Sequence, residues 1–323
     1  MIFNSTKMLY YTTMIIGVMI CVSSNNWMMM WSGLEISLMS FLGIMPSKNS
    51  LSSESMMKYF IIQGTSSAIL IMGIMFMLME IELSSYIMVV SIMLKIGMAP
   101  FHNWVLSVID GLSYECVFVL LTMIKVPPLM ILSYMNMTIW VTIIISLVVG
   151  ATMGINQNSM RKMLGYSSIY NLGYLCACIS EVSIWVIYML IYSFMLIGII
   201  TYIKQMNVFY FNQVMINEFD LKLKISFWLM MLSFGGVPPM LGFINKLMLL
   251  ELMVLNNQFL ILLVMIISSL IVMFYYTRSA YMSIMMSSIS MKWNFFSMNR
   301  SMLMILMLNI TFLSLMIFSK SMY

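Results

Sequence analysis

Again and again along this chain, roughly twenty apolar residues follow one another before a short polar interval, and that repetition leaves few folds open. A helix of that length matches the hydrocarbon thickness of a bilayer. Windows bounded by polar clusters place spans at 8–22, 26–45, 58–79, 86–106, 115–134, 138–156, 163–180, 182–203, 225–250, 258–277 and 301–318. The expectation is an all-α membrane protein of about eleven transmembrane helices, a single polytopic domain over residues 1–323. Composition agrees, with 63% hydrophobic and 8% charged residues, where soluble domains carry about a quarter charged.

The loops give a check that does not depend on hydropathy, because Lys and Arg accumulate on the side from which a membrane protein is inserted. With spans alternating sides, Lys7, Lys48, Lys58, Arg161, Lys162, Lys204, Lys222, Lys224, Arg278, Lys292 and Arg300 collect on one face. Only Lys320 falls on the other. Omitting one span would send every later loop to the wrong side, so the count is better fixed than any boundary. The same rule puts the N-terminus on the side of synthesis and the C-terminus opposite. Trp27, Trp104, Trp140, Trp185 and Trp228 fall near span ends, where an interfacial aromatic belt is expected.

Several function classes drop out. The basic residues are scattered singly, with no run or aromatic-interleaved stripe to follow a phosphate backbone, so nucleic-acid binding is not expected. Cys21, Cys116, Cys176 and Cys178 form no C-x-x-C pair and read as small packing residues. The 46 methionines, Met28-Met29-Met30 among them, could suggest soft copper ligands. They stand instead where Leu or Ile would fill packing positions, an excess that a mitochondrial code reading an extra codon as Met would produce. After Lys7 the chain runs directly into its first span, so no cleavable presequence is expected.

Three lysines, Lys95, Lys125 and Lys246, sit inside spans, and Glu35 joins them within Trp31-Ser32-Gly33-Leu34-Glu35-Ile36-Ser37-Leu38. At roughly 2.5 to 3.5 kcal/mol per charge at a helix centre, the four cost on the order of 10 kcal/mol. Either each is half of a helix-gluing ion pair, or the set serves proton movement. One carboxylate cannot pair three lysines. Desolvation favours the neutral amine and a nearby carboxylate the ammonium, so a lysine that gains or loses Glu35 could bind or release a proton.

Two of these spans also carry helix-breaking residues. Lys95-Ile96-Gly97-Met98-Ala99-Pro100-Phe101-His102 aligns with Ser233-Phe234-Gly235-Gly236-Val237-Pro238-Pro239-Met240, placing Gly97-x-x-Pro100 against Gly236-x-x-Pro239. Proline removes a backbone donor and clashes with the preceding turn. Broken backbone at membrane depth persists where it is buried or lines a wet cavity, and paired interruptions point to repeats around a midplane ion path. His102, the only histidine, is either a helix-end cap or a proton carrier; a seven-residue spacing would put it on the face of Lys95 if the break were modest. One histidine also excludes a bis-His haem, and the cysteine pattern excludes iron-sulfur ligation.

Jointly, Trp31–Leu38, Lys58-Tyr59-Phe60, Leu94–Trp104, Lys125-Val126-Pro127-Pro128-Leu129, Gly154-Ile155-Asn156-Gln157, Arg161–Ile169 and Gly235–Phe243 with Lys246 resemble the subunit 2 family of NADH:ubiquinone oxidoreductase, respiratory complex I, in its shortened animal form. The resemblance runs nearly end to end. It implies an antiporter-like fold of two inverted five-helix repeats, about 8–134 and 138–277, followed by a C-terminal helix at 301–318. It implies one proton-translocating module of an inner mitochondrial membrane enzyme, with the N-terminus on the matrix side and the C-terminus on the intermembrane-space side. Glu35 and Lys95 would be the charge pair of the first half-channel, Lys125 the connecting residue and Lys246 the distal lysine facing a neighbouring subunit. Partners would be other antiporter-like and small membrane subunits, with phospholipids. NADH, FMN, iron-sulfur clusters and ubiquinone would belong to other subunits, leaving this chain without a cofactor. Where the family usually has a second histidine this chain has Asn171, so water, Tyr170 or Ser167 is expected to fill that place. Two other readings stand beside this one: a free-standing proton/cation antiporter of related fold, and a structural scaffold with relict charges.

Overall fold

The computed structural model describes residues 5–47, 49–135, 139–216, 221–238 and 240–287. Among them there are helices and one isolated antiparallel bridge, Ser159 with Tyr210, but no strand. The first helices are α1 (Ser5–Ser23), α2 (Trp27–Ile44), α3 (Ser50–Leu78), α4 (Ser84–Ile96) and α5 (Asn103–Gly111). Then come α6 (Tyr114–Leu121), a 3-10 turn (Met123–Lys125), α7 (Val126–Met135), α8 (Trp140–Ile155) and α9 (Met160–Ala177). The last are α10 (Val182–Met206), α11 (Phe211–Ile216), α12 (Leu221–Gly235), α13 (Leu241–Leu255) and α14 (Phe259–Ser287). The expected span 301–318, and Lys48, Pro239, Lys292, Arg300 and Lys320, lie outside the described residues.

Among the described residues, six helical stretches are long and apolar enough to cross a bilayer: Ser5–Ser23, Trp27–Ile44, Ser50–Leu78, Tyr114–Met135, Val182–Met206 and Phe259–Arg278. Shorter apolar helices over Ser84–Ile96, Trp140–Ile155 and Lys224–Gly235 accompany them. Two sequence spans, 86–106 and 225–250, are each split into two helices, which is why neither half reaches spanning length. A third, 115–134, is interrupted at the 3-10 turn, an interruption the sequence reading did not foresee. Its cause is Pro127-Pro128: neither nitrogen can donate, so the carbonyls one turn earlier lose their helical partners. Helix α3 starts eight residues before its expected span, and its exposed opening turns carry the Lys58–Glu54 ion pair at 2.6 Å.

The described chain falls into two compact units. One holds α1 to α7, α8 up to Ser146, and residues 179–182; the other holds α8 from Leu147, α9, and α10 from Ser183 through α14. In the first, α1 and α2 are joined by a three-residue turn and pack backbone to backbone. A Cβ on Gly33 would stand 2.8 Å from the Gly17 carbonyl oxygen, so only small residues permit this approach. Buried serines in this unit bond within their own helices, as Ser55 donates to Ser52 O at 2.8 Å and Ser66 to Gln63 O at 2.8 Å. In the second unit α9, rich in Ser, Tyr and Asn, is buried without exception from Ser167 to Cys176.

Two sequence expectations are corrected here. Lys224 is not a loop residue on the basic face; it lies in the first turns of α12 and is buried. Trp104 and Trp185 are not belt residues, since both are buried, whereas Trp140 is exposed.

Candidate functional site

In the first unit the site is built on the end of α4. Gly97 stops that helix in the left-handed region at φ 74°, and the Gly97 and Met98 N–H groups both reach back to the Met93 carbonyl at 3.0 and 3.2 Å. A side chain on Gly97 would run into Val105, so glycine is required twice over, for backbone and for space. The Ala99–Pro100 peptide is cis, and the chain resumes as α5 at Asn103.

Stopping a helix inside a protein orphans its last carbonyls. Here neutral donors satisfy them: Gln63 Nε2 donates to Lys95 O at 3.0 Å, and Trp104 Nε1 to Leu94 O at 3.0 Å. The sequence reading missed both residues. Gln63 is a polar residue in the long apolar α3 and could have been noticed on that ground; Trp104 was placed in the lipid interface instead.

With its backbone held, Lys95 turns its side chain to α2. Its Nζ lies 3.6 Å from Glu35 Oε1, with 3% and 24% of the two side chains exposed. That is an ion pair beyond ordinary hydrogen-bond length. The structure therefore brings Glu35 and Lys95 together. Lys125 is buried in the same unit, at the end of the 3-10 turn. His102 stands elsewhere. It occupies the position before α5, past the break, with Nδ1 3.2 Å from the Pro100 carbonyl oxygen. Because α4 ends at Gly97, the seven-residue spacing does not put His102 on the face of Lys95.

The second unit repeats the backbone device. Gly236 sits at φ 77°, and Val237 N–H reaches back five residues to Leu232 O at 3.3 Å, as Met98 does to Met93. Pro238 follows in the loop, and α13 begins at Leu241. A Cβ on Gly242 would strike the Ser233 carbonyl, so α13 starts tight against the end of α12. Here a lysine caps the break: Lys246 Nζ donates to Gly235 O at 2.6 Å. It lies 5.6 Å from the centroid of the Tyr170 ring. Asn171, where a histidine was expected by resemblance, accepts a 2.8 Å hydrogen bond from Tyr188 OH on its Oδ1.

Each of these two buried lysines thus lies beside a left-handed glycine that ends a helix. The family described as NADH:quinone oxidoreductase/Mrp antiporter, TM, matches residues 24–82 and 78–273. Two curated relatives match nearly end to end. NADH-ubiquinone oxidoreductase chain 2 of Anopheles gambiae is 35% identical over 88% of this chain and 88% of its own length. That of Locusta migratoria is 34% identical over 90% and 89%. The chain belongs to the NADH-ubiquinone oxidoreductase chain 2 family.

The chain 2 fold is antiporter-like. A chain of respiratory complex I from Thermus thermophilus superposes with a TM-score of 0.75 at 18% identity, covering 88% of this chain and 77% of that one. A chain of the Mrp complex from Dietzia sp. DQ12-45-1b gives 0.72 at 12% identity, covering 83% and 59%. One from the membrane-bound sulfane sulfur reductase, an archaeal respiratory membrane complex, gives 0.79 at 14% identity, covering 95% and 72%. At these identities the shared feature is the fold.

Proposed function

We propose that this chain is a core membrane-arm subunit of respiratory complex I, in the inner mitochondrial membrane, and that it acts as an antiporter-like module coupling quinone reduction elsewhere in the complex to proton translocation. The observation that carries this reading is the buried Lys95–Glu35 contact at 3.6 Å beside a broken helix, in a chain whose curated relatives are named NADH-ubiquinone oxidoreductase chain 2. The enzyme is a translocase; NADH, FMN, iron-sulfur clusters and ubiquinone sit on other subunits, and this chain carries no redox centre. Its partners are the neighbouring antiporter-like and small membrane subunits, with phospholipids between them.

In this reading quinone reduction alters the electrostatics near Glu35, which changes its pairing with Lys95 and so the charge state Lys95 favours. Lys125 connects the first half-channel to the second, and Lys246 is the distal lysine toward the next subunit. His102, at the head of α5, is a candidate carrier at the edge of the path. The two inverted repeats are about 8–134 and 138–277, with the N-terminus on the matrix side and the C-terminus in the intermembrane space. Moving one charge across 100 mV costs about 2.3 kcal/mol. A charge pair made or broken in a poorly solvated site supplies energy of that order.

The test is Lys246→Met in the assembled complex, with proton translocation and NADH oxidation measured together. Translocation should fall at least about tenfold, which corresponds to about 1.4 kcal/mol on the barrier. Undiminished translocation would defeat the assignment. A free-standing antiporter would instead transport protons as a purified, reconstituted chain.

A further inference from the structure

Lys246 raises a question that Lys95 does not. Among the described residues no carboxylate lies within ion-pairing distance of it, yet it is 8% exposed. Its side chain donates a hydrogen bond to the carbonyl of Gly235, the last residue of α12, at the negative end of that helix. A carbonyl supplies a partial charge only. A second electron-rich group beside Nζ is the face of Tyr170, at 5.6 Å from the ring centroid, within the range where a cation is drawn to the ring.

That ring is held with unusual completeness. Tyr170 OH donates to Tyr174 OH at 2.8 Å, and Tyr174 OH donates in turn to the Met265 carbonyl at 3.0 Å. The two rings pack edge to face at 5.0 Å between centroids. Tyr170 and Tyr174 are 1% and 0% exposed. Its backbone is pinned as well, since a Cβ on Gly150 would stand 2.6 Å from Tyr170 N. The chain of donors ends on a backbone carbonyl, which has no proton to pass on, so this arrangement fixes a ring and does not conduct. On the other side Gly236 leaves the room in which the lysine lies: a Cβ there would stand 2.8 Å from Lys246 Cδ, Cε and Nζ.

We propose that Tyr170 is a positioning residue for proton transfer through Lys246: its ring, anchored through Tyr174 to Met265, and the Gly235 carbonyl together form the seat that holds the lysine head group at the second break. The inference rests on the reading of Lys246 as a relay residue and names what holds it among the described residues. The ring is the working part and the hydroxyl only its anchor.

The test uses the assembled complex carrying Tyr170→Phe, Tyr170→Leu, Lys246→Met, and Tyr170→Leu with Lys246→Met. Tyr170→Phe keeps the π face but loses the anchor through Tyr174, and should translocate protons more slowly than the parent but clearly faster than Tyr170→Leu. Tyr170→Leu should lose about tenfold, the factor that about 1.4 kcal/mol makes in an equilibrium, and should add nothing to Lys246→Met. Should the leucine variant fail to assemble, Tyr170→Met, which fills the space without a π face, is read in its place. Tyr170→Leu at the parent rate beside an impaired Lys246→Met would overturn the inference and leave the relay reading intact. So would Phe as damaging as Leu, or a leucine effect that persists in the Lys246→Met background. Parent-rate translocation in Lys246→Met would bring down both.

Discussion

Lys95 and Lys246 are both buried beside the ends of half-helices, and they are accommodated by different chemistry. Lys95 has a carboxylate, Glu35, while neutral Gln63 and Trp104 satisfy the carbonyls its helix leaves behind. Lys246 satisfies such a carbonyl itself. The difference predicts that Gln63 matters for stability before it matters for transport. Gln63→Leu leaves the Lys95 carbonyl buried and unpaired, a loss of about 1 to 3 kcal/mol. It should appear as a lower melting temperature of the assembled complex with the Glu35–Lys95 pair still in place. The burial of Lys95, Lys125 and Lys246 was legible in the sequence because each is a charge inside an apolar run. Lys224 was not, because a lysine at a helix end and one in a loop look alike until burial is known. Tyr170 was legible only as a stand-in for a missing histidine; its ring contact with Lys246 depends on two helices distant in sequence.

At the scale of elements, the two breaks are the same device used twice: a left-handed glycine and an N–H reaching back five residues. The aligned Gly-x-x-Pro stretches announced both, since glycine and proline act through local backbone geometry. The interruption at Met123–Lys125 had an equally local signal in Pro127-Pro128, overlooked because the surrounding run reads by hydropathy as one continuous span. The failure of the His102 spacing has the same root: a helical period carries no meaning past a residue that ends the helix. Gly97→Ala and Gly236→Ala should each cost at least about 1 to 2 kcal/mol, the penalty of a left-handed L-residue. At Gly97 the added methyl also meets Val105, and at Gly236 it meets the lysine. Both variants should lower the heat stability of the complex, and Gly236→Ala should also slow translocation by displacing Lys246.

For the whole molecule, hydropathy carried the all-helical membrane class, because a bilayer admits so few backbone solutions. What it left out is how polar the interior is: α9, with its serines, tyrosines and Asn171, is among the most completely buried of the helices. A membrane protein hides polarity inward, so its least apolar helix reads from sequence as its weakest span. A charge pair poised at a broken helix within such an interior is the centre of the functional account. Its most direct test is the number of protons translocated per electron in assembled complex carrying Lys95→Met. The account predicts a clear fall in that ratio while NADH oxidation continues in the absence of a membrane potential; a ratio equal to that of the parent complex would contradict it.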